Sequence, residues 1–264
     1  MTTLDEGRID AAAIERIVGE GNVLASEPLS RHCTFRIGGP ARLFARPQDE
    51  QALIELVAAL RGFDEPYLVV GKGSNLLCAD EGYDGVVVEV GRAMGDIEID
   101  GTAVRAQAGI SLSSLAKQAA RAGLAGLEFA SGIPGTLGGG LFMNAGAYDG
   151  EFKDVAASVS CLFPDGTVRE IPAEKADWSY RHSMMSDEGL VVLGATLQLA
   201  AGNKDDIRAK MDDLAKRRSS KQPLEMASAG STFKRPEGYF AGKLIQDAGM
   251  QGHSVGDAQV STKH

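Results

Sequence analysis

The 264-residue sequence predicts an α+β protein. Three observations carry that class. Strand and helix patterns alternate through the first third of the chain. Paired strand patterns around turn residues fill the middle, the mark of a hairpin-built sheet. Glycine makes up 33 of the 264 residues, well above the average of about 7%, and two loops are dense in it.

The elements follow in order. Residues 10–18 form a short helix with Ile14, Ile17 and Val18 on one face, and residues 41–45 a strand. Residues 48–60 form a helix: Leu53, Leu56, Val57 and Leu60 recur at helical spacing, and Gly62 stops it. The run 67–70 is a buried strand leading into a glycine loop, and 85–90 is another strand. Residues 96–108 read as two strands around Asp100-Gly101, a two-residue hairpin turn. Ser111 caps a helix over 112–122 that turns Leu112, Leu115, Ala116 and Ala119 inward, with Gly123 as its stop. Residues 155–163 and 167–171 flank Pro164-Asp165-Gly166, a second hairpin signal, and 190–199 is a further strand. A polar helix over 205–218 and a shorter one near 240–248 complete the chain. These shifts set units at 1–91, 92–201 and 202–264.

The most informative stretch is residues 132–148, GIPGTLGGGLFMNAGAY, in which six of the first fifteen residues are glycine. A linker so rich in glycine would be polar. This one carries Ile133, Leu137, Leu141, Phe142 and Met143, so it is expected to pack. Glycine permits positive φ and lets backbone approach a ligand closely, and buried backbone needs partners for its N–H groups. The segment therefore reads as a loop that wraps a large cofactor and offers donors to phosphate, or as a tightly packed turn. The second glycine loop, Gly71-Lys72-Gly73-Ser74-Asn75-Leu76 after the strand 67–70, favours the cofactor.

The bulk numbers exclude other classes. A formal net charge of −9 argues against nucleic acid as partner. Cys33, Cys78 and Cys161 lie far apart with no CxxC pair, which fits a reducing compartment and supplies no metal framework. His32, His182, His253 and His264 show no ligand spacing, so no metal is expected. The N-terminus MTTLDEGRID has no apolar core of a secretory signal. No run approaches the roughly 18 apolar residues of a membrane span. A cytoplasmic location is expected. Lys216, Arg217, Arg218 and Lys221 form one basic cluster, which by residue chemistry alone is a solvated helix end complementing the macrodipole.

The first glycine loop is neither a Walker A motif, since Lys72 sits between two glycines, nor a GxGxxG fingerprint. A strand followed by GKGSNLL resembles the pyrophosphate loop of the flavin fold shared by vanillyl-alcohol oxidases and their relatives. Further motifs narrow this: RIGGPA from Arg36, GLEFASGIPGTLGG from Gly126, MNAGAY from Met143, YRHS from Tyr180, SAGSTFKRP from Ser228 and AGKLI from Ala241. Their order and spacing resemble the UDP-N-acetylenolpyruvoylglucosamine reductases, FAD enzymes of peptidoglycan precursor synthesis, over the chain from about Arg31 onward. The absence of a long insertion between Tyr180 and Lys221 resembles the shorter of the family's two types.

The resemblance implies an FAD-binding fold of the vanillyl-alcohol oxidase type in two subdomains, with a small α+β substrate-binding domain. It also implies a reaction: NADPH reduces FAD, and hydride then passes to the methylene carbon of an enolpyruvyl ether of a UDP-sugar, giving UDP-N-acetylmuramate. Ser231 matches the family's proton donor, although an Ala-Gly-Ser serine is by itself only a turn residue. Arg181 would bind the carboxylate on which charge develops, or form a surface ion pair, with Asp177 near in sequence. Tyr180, Arg218, Lys221, Lys234 and Arg235 are implied on the substrate side, which reverses the bland reading of the basic cluster. Arg235 departs from the asparagine common in the family. For FAD, the matched positions are Arg36, Gly71, Lys72, Gly73, Ser74, Asn75, Leu76, Gly132, Ile133, Pro134, Gly135, Gly138, Gly139, Asn144, Ala145, Gly146 and Ala147.

The family's third catalytic residue is a glutamate near its C-terminus, and no residue here matches it; Glu225 and Glu237 stand near Ser231 but not at that position. The resemblance thus leads us to expect a chain shortened at its C-terminal end, an incomplete third domain and little turnover. Two other readings stay open: an oxidase of the vanillyl-alcohol oxidase group, with FAD attached through His32 or Cys33, and a non-catalytic module that binds FAD or a UDP-sugar.

Overall fold

The computed structural model describes residues 8–263. The stretch read for a secretory signal lies largely outside them, as does His264. Helix α1, Ala11–Val18, starts where the Asp10 carboxylate accepts the Ala13 N–H at 2.6 Å, and it buries Ile14 and Val18. Strands β1 (Val23–Pro28) and β2 (Pro40–Ala45) pair antiparallel. Helix α2, Glu50–Gly62, is capped by Asp49 and buries the four apolar residues read at helical spacing. Strands β3 (Tyr67–Val70) and β4 (Tyr83–Glu89) complete a sheet of order β1-β2-β4-β3, with β4 parallel to both β2 and β3. Val86 and Val88 face the main core, while Val87 joins Leu29, Ala41, Phe44 and Val70 on the other face. Burial on both faces explains a continuous valine run in place of alternation.

Strand β1 was absent from the sequence reading. Its polar Ser26 and Glu27 and its terminal Pro28 suit an edge strand that shows half of itself to solvent.

Strands β5 (Ile97–Asp100) and β6 (Ala103–Gln107) form the first hairpin of a second sheet. Asp100 pairs with Ala103, so the turn residues are Gly101 and Thr102, one position later than expected; Gly101 has φ +58°. Helix α3, Leu112–Ala122, has Ser111 Oγ accepting from the Ser114 N–H and Gly123 in the left-handed region, as read. Two-residue strand β7 (Leu124–Ala125) and a 3₁₀ turn, Glu128–Gly132, lead to helix α4, Leu137–Phe142. The glycine segment is therefore not a loop throughout. Its centre is helical, because Gly138 lies against Ala108 and Gly140 against the Phe152 ring, where added Cβ atoms would meet Ala108 Cβ at 2.9 Å and Phe152 Cε2 at 2.8 Å.

Short strands β8 (Gly146–Ala147) and β9 (Gly150–Glu151) make a tight turn. Strands β10 (Ala156–Leu162) and β11 (Val168–Pro172), helix α5 (Met184–Asp187) and strand β12 (Val191–Gln198) follow. The second sheet runs β11-β10-β12-β6-β5, antiparallel throughout. Strand β13 (Ala200–Ala201) pairs with β7. Helix α6, Lys204–Lys221, is capped by Asn203 and buries Ile207 and Leu214. One apolar core joins α1, α2, both sheets and α3.

Beyond α6 the character changes. Helix α7 (Ala241–Asp247) and strands β14 (Ser254–Val255) and β15 (Ala258–Gln259) form a small α+β unit, and none of the described residues from 222 onward is buried. Among the described residues no helix is long and apolar enough to cross a membrane.

Candidate active site

The two glycine loops meet. Ser74 Oγ donates to Pro134 O at 2.7 Å, and Gly71 packs so closely on Thr136 that a Cβ there would collide with its hydroxyl. The first loop also lies on residues 32–34: the Thr34 N–H donates to Gly73 O at 3.2 Å, and Gly73, at φ +60°, has no room for a side chain beside His32 O. Arg36, exposed and at φ +60°, stands at the end of this second layer. A continuous floor of backbone results, in which Lys72, Asn75, Gly132, Pro134 and Gly139 are exposed.

Among the three glycines of α4, Gly139 differs. Gly138 and Gly140 are buried and needed for packing, whereas Gly139 is exposed, and the nearest atom to an added Cβ is Thr136 Oγ1 at 3.8 Å. No protein neighbour requires a glycine there.

Arg181 sits at the far end of the glycine segment. Its Nη2 donates to Gly146 O at 2.7 Å and its Nη1 to Asn144 O at 3.3 Å, and its guanidinium lies 4.8 Å from the Tyr180 ring centroid. Its backbone is left-handed (φ +56°), as are those of Asn144, Tyr148, Asp149 and Asp177. Non-glycine residues in this region cost of order 1–3 kcal/mol each and gather at functional sites. Asn and Asp enter this region more readily than other residues, and Tyr148 and Asp149 are the two central residues of the β8–β9 hairpin, which leaves Arg181 as the one the sequence does not signal.

Asn144 is fully buried. Its Nδ2 donates to Glu151 Oε2 at 2.9 Å and to Ser179 O at 3.0 Å, while Oδ1 accepts the Lys153 N–H at 3.0 Å. The N–H groups of Asn144 and Ala145 donate to Leu141 O and Gly140 O. Of the positions 144–147 read as cofactor-binding, Asn144 thus has both its amide donors committed within the protein.

Arg218, near the end of α6, lays its stem on Gly132, where an added Cβ would sit 3.3 Å from Arg218 Cδ. Burial lowers its pKa from the usual value, and the nearby Tyr148 phenol opposes that shift. Lys221 follows one turn on and is exposed. The basic cluster therefore divides: Arg218 faces the glycine segment, while Arg217 pairs with Asp213 at 2.8 Å.

Ser231 is exposed in the coil between α6 and α7. That coil reaches the main body where Thr34 Oγ1 donates to Ser228 O at 2.6 Å and the Ser228 N–H donates to Thr34 O at 3.1 Å. The pairing sets the serine loop beside the Thr34–Arg36 turn and the first glycine loop; sequence motifs gave no hint of Thr34. Lys234 is exposed, and Arg235 is held within its own loop by Tyr239 O at 3.1 Å and the Phe240 ring at 4.1 Å. The fold thus joins the two glycine loops, lays Arg218 on the start of the glycine segment, holds Arg181 at its far end, and ties the coil bearing Ser231 and Lys234 to Thr34.

Both residues considered for covalent attachment make contacts within the protein. His32 stacks on Phe44 at 3.9 Å and its Nε2 lies 3.0 Å from Glu27 Oε1; Cys33 is buried and donates to Ile37 O at 3.3 Å. Spacing along the chain also missed one cluster: Asp177, His182 and Asp187 bring one ligand-type atom each within 4.8 Å of the others. His182 Nε2 lies 2.9 Å from Asp187 Oδ2.

A family model described as an FAD binding domain matches residues 41–172. Another, the C-terminal domain of UDP-N-acetylenolpyruvoylglucosamine reductase, matches residues 222–264. The reductase of Agathobacter rectalis is 49% identical over 254 residues, covering 92% of this chain and 81% of its own length. That of Clostridioides difficile is 48% identical over 248 residues, covering 94% and 82%. The crystal structure of the Thermus caldophilus enzyme superposes with a TM-score of 0.79 at 35% identity, over 92% of this chain and 85% of that one. A solvent-stable cholesterol oxidase, 18% identical with a TM-score of 0.51 over 67% of this chain, shares the fold.

Proposed function

We propose a function from one premise: the chain belongs to the UDP-N-acetylenolpyruvoylglucosamine reductase family. It is a flavin-dependent oxidoreductase that uses NADPH to reduce UDP-N-acetylglucosamine enolpyruvate to UDP-N-acetylmuramate. A place in cell-wall precursor synthesis and a cytoplasmic location follow as parts of this proposal. So does the division into 1–91 and 92–201, which frame the FAD, and 202–264 on the substrate side.

The residues fit the cofactor. The exposed backbone floor, a glycine at position 139 that no protein contact requires, and the commitment of His32 and Cys33 elsewhere all suit a non-covalent FAD. Residues 71–76 and 132–139 would hold it, with Arg36 near its pyrophosphate. Bound there, FAD supplies the hydride acceptor and donor that the two half-reactions need.

The chain's own groups carry the rest. A guanidinium has five N–H donors, and two of those of Arg181 are used on Asn144 O and Gly146 O. The others suit the substrate carboxylate, where fixed donors stabilise the charge that develops as hydride arrives. Arg218 and Lys221 suit the diphosphate, and Tyr180, Lys234 and Arg235 the remaining substrate surface. Ser231 gives the proton to the carbon next to the carboxylate, from a loop anchored through Ser228.

The observation that carries this reading is the contact of the two glycine loops through Ser74 and Pro134, with Arg218 laid on one end of the glycine segment and Arg181 held at the other. Stopped-flow measurement of the separate half-reactions tests it. Ser231→Ala and Arg181→Ala are expected to spare flavin reduction by NADPH. Each should slow reoxidation by the enolpyruvyl ether, Ser231→Ala by about 10²- to 10⁴-fold, the usual contribution of a general acid. Unchanged reoxidation would remove both residues from the mechanism.

A further inference from the structure

We infer that Asn144, oriented by Glu151, is a positioning residue that aims Arg181 at the substrate carboxylate. The inference rests on the role proposed above for Arg181. Asn144 is buried, and its Nδ2 bridges the Glu151 carboxylate at 2.9 Å and Ser179 O at 3.0 Å. Two acceptors on one side and the Lys153 N–H donor on the other allow a single orientation of the amide.

Glu151 is itself fixed. It forms a reciprocal cap with Asp154, in which the Glu151 N–H donates to Asp154 Oδ2 at 3.0 Å, and it pairs with the Lys153 ammonium. Ser179 lies two residues before Arg181, and Arg181 Nη1 returns to the carbonyl of Asn144. One side chain thus grips the turn that carries the arginine, and the same residue's carbonyl receives the guanidinium. Both Asn144 and Arg181 hold left-handed backbone, φ +39° and +56°. A conformation so sparsely populated persists only where its surroundings over-determine it, and the amide is the group that ties the two together.

A residue that merely supports the fold would affect every ligand alike. A residue that aims Arg181 acts only on ligands carrying the carboxylate. The test compares two ligands on the FAD-loaded chain: the UDP-sugar enolpyruvyl ether, and the same UDP-sugar without its enolpyruvyl group. Asn144→Ala and Glu151→Ala are expected to weaken the first by about 10-fold or more, as loss of hydrogen bonds to a charged group does. Both should leave the second within about 2-fold. Glu151→Gln keeps an acceptor for Asn144 and is expected to recover most of the loss.

Arg181→Ala is the control for the underlying role. If it fails to weaken the carboxylate ligand selectively, the role of Arg181 fails and the inference with it. If it succeeds while Asn144→Ala and Glu151→Ala weaken both ligands equally or neither, only the positioning role is overturned. Arginine side-chain NMR gives a reading that needs no ligand, with Arg181→Lys for assignment. The ordered guanidinium signals of Arg181 should be lost in Asn144→Ala, and their persistence would also overturn the inference.

Discussion

Replacing Gly139 and Gly140 separately by alanine distinguishes a glycine kept for a ligand from one kept for packing, although the two are neighbours in one helix. At Gly140 the new methyl would sit 2.8 Å from Cε2 of Phe152, a fully buried ring. Overpacking of this kind costs about 1–3 kcal/mol. Alanine's helix preference over glycine, about 1 kcal/mol, offsets part of this, and with roughly 2–4 °C of Tm per kcal/mol for a chain near this size, Gly140→Ala should lower Tm by up to about 8 °C. At Gly139 the nearest atom is 3.8 Å away, an ordinary contact. Alanine is favoured over glycine inside a helix by about 0.8–1.0 kcal/mol, so apo Gly139→Ala should melt about 2–4 °C above the parent. If FAD lies where proposed, the same methyl would occupy the space through which the cofactor approaches the backbone. Gly139→Ala is therefore expected to weaken FAD binding at least 10-fold while raising the stability of the apoprotein. Thermal melts of both variants, with flavin-fluorescence titrations, read the two quantities. An unchanged FAD affinity in Gly139→Ala would refute the placement of the cofactor against α4.

Acid should weaken the first sheet through Glu65. Burial raises the pKa of this carboxyl, but hydrogen bonds from Arg8 and the ion pair with Arg42 outweigh that and hold it below its usual value of 4.5. Its contribution is therefore complete above about pH 4.5 and is lost as pH falls through the depressed folded value; Glu65→Gln should flatten that limb of a stability–pH curve. Heat or acid denaturation should release the flavin into the small-molecule fraction, since His32 and Cys33 are both committed to protein contacts; flavin retained on the denatured chain would favour the oxidase reading. Gly71→Ala should push Thr136 away and part the two glycine loops, lowering both FAD affinity and Tm; a variant that melts and binds FAD like the parent would contradict the contact.

Local chemistry made much of the fold legible. Helix α3 was read to its ends, because Ser111 is a capping residue, Gly123 takes the left-handed stop, and the apolar positions between them share one face. Strand β3 was read to its ends as an apolar run, but it is a sheet-edge strand and not the buried one expected: Leu68 is exposed. Helix α4 was not legible: three consecutive glycines argue against helix, and only the close approach of Ala108 and Phe152 shows why they are there. The site divides in the same way. The order of the motifs picked out two glycine loops that the fold brings into contact through Ser74 and Pro134, but Asn144 matched a cofactor motif while its side chain spans Glu151 and Ser179. The pairing of Thr34 with Ser228 joins residues 194 apart in sequence, and no local pattern encodes it.

A single turnover under anaerobic conditions tests the central claim most directly. FAD-loaded protein is reduced with one equivalent of NADPH and mixed with UDP-N-acetylglucosamine enolpyruvate, and the product is identified by mass. Reoxidation of the flavin coupled to UDP-N-acetylmuramate, one per flavin, is expected whatever the rate. A flavin that stays reduced, or one that is reoxidised only when oxygen is admitted, would contradict it.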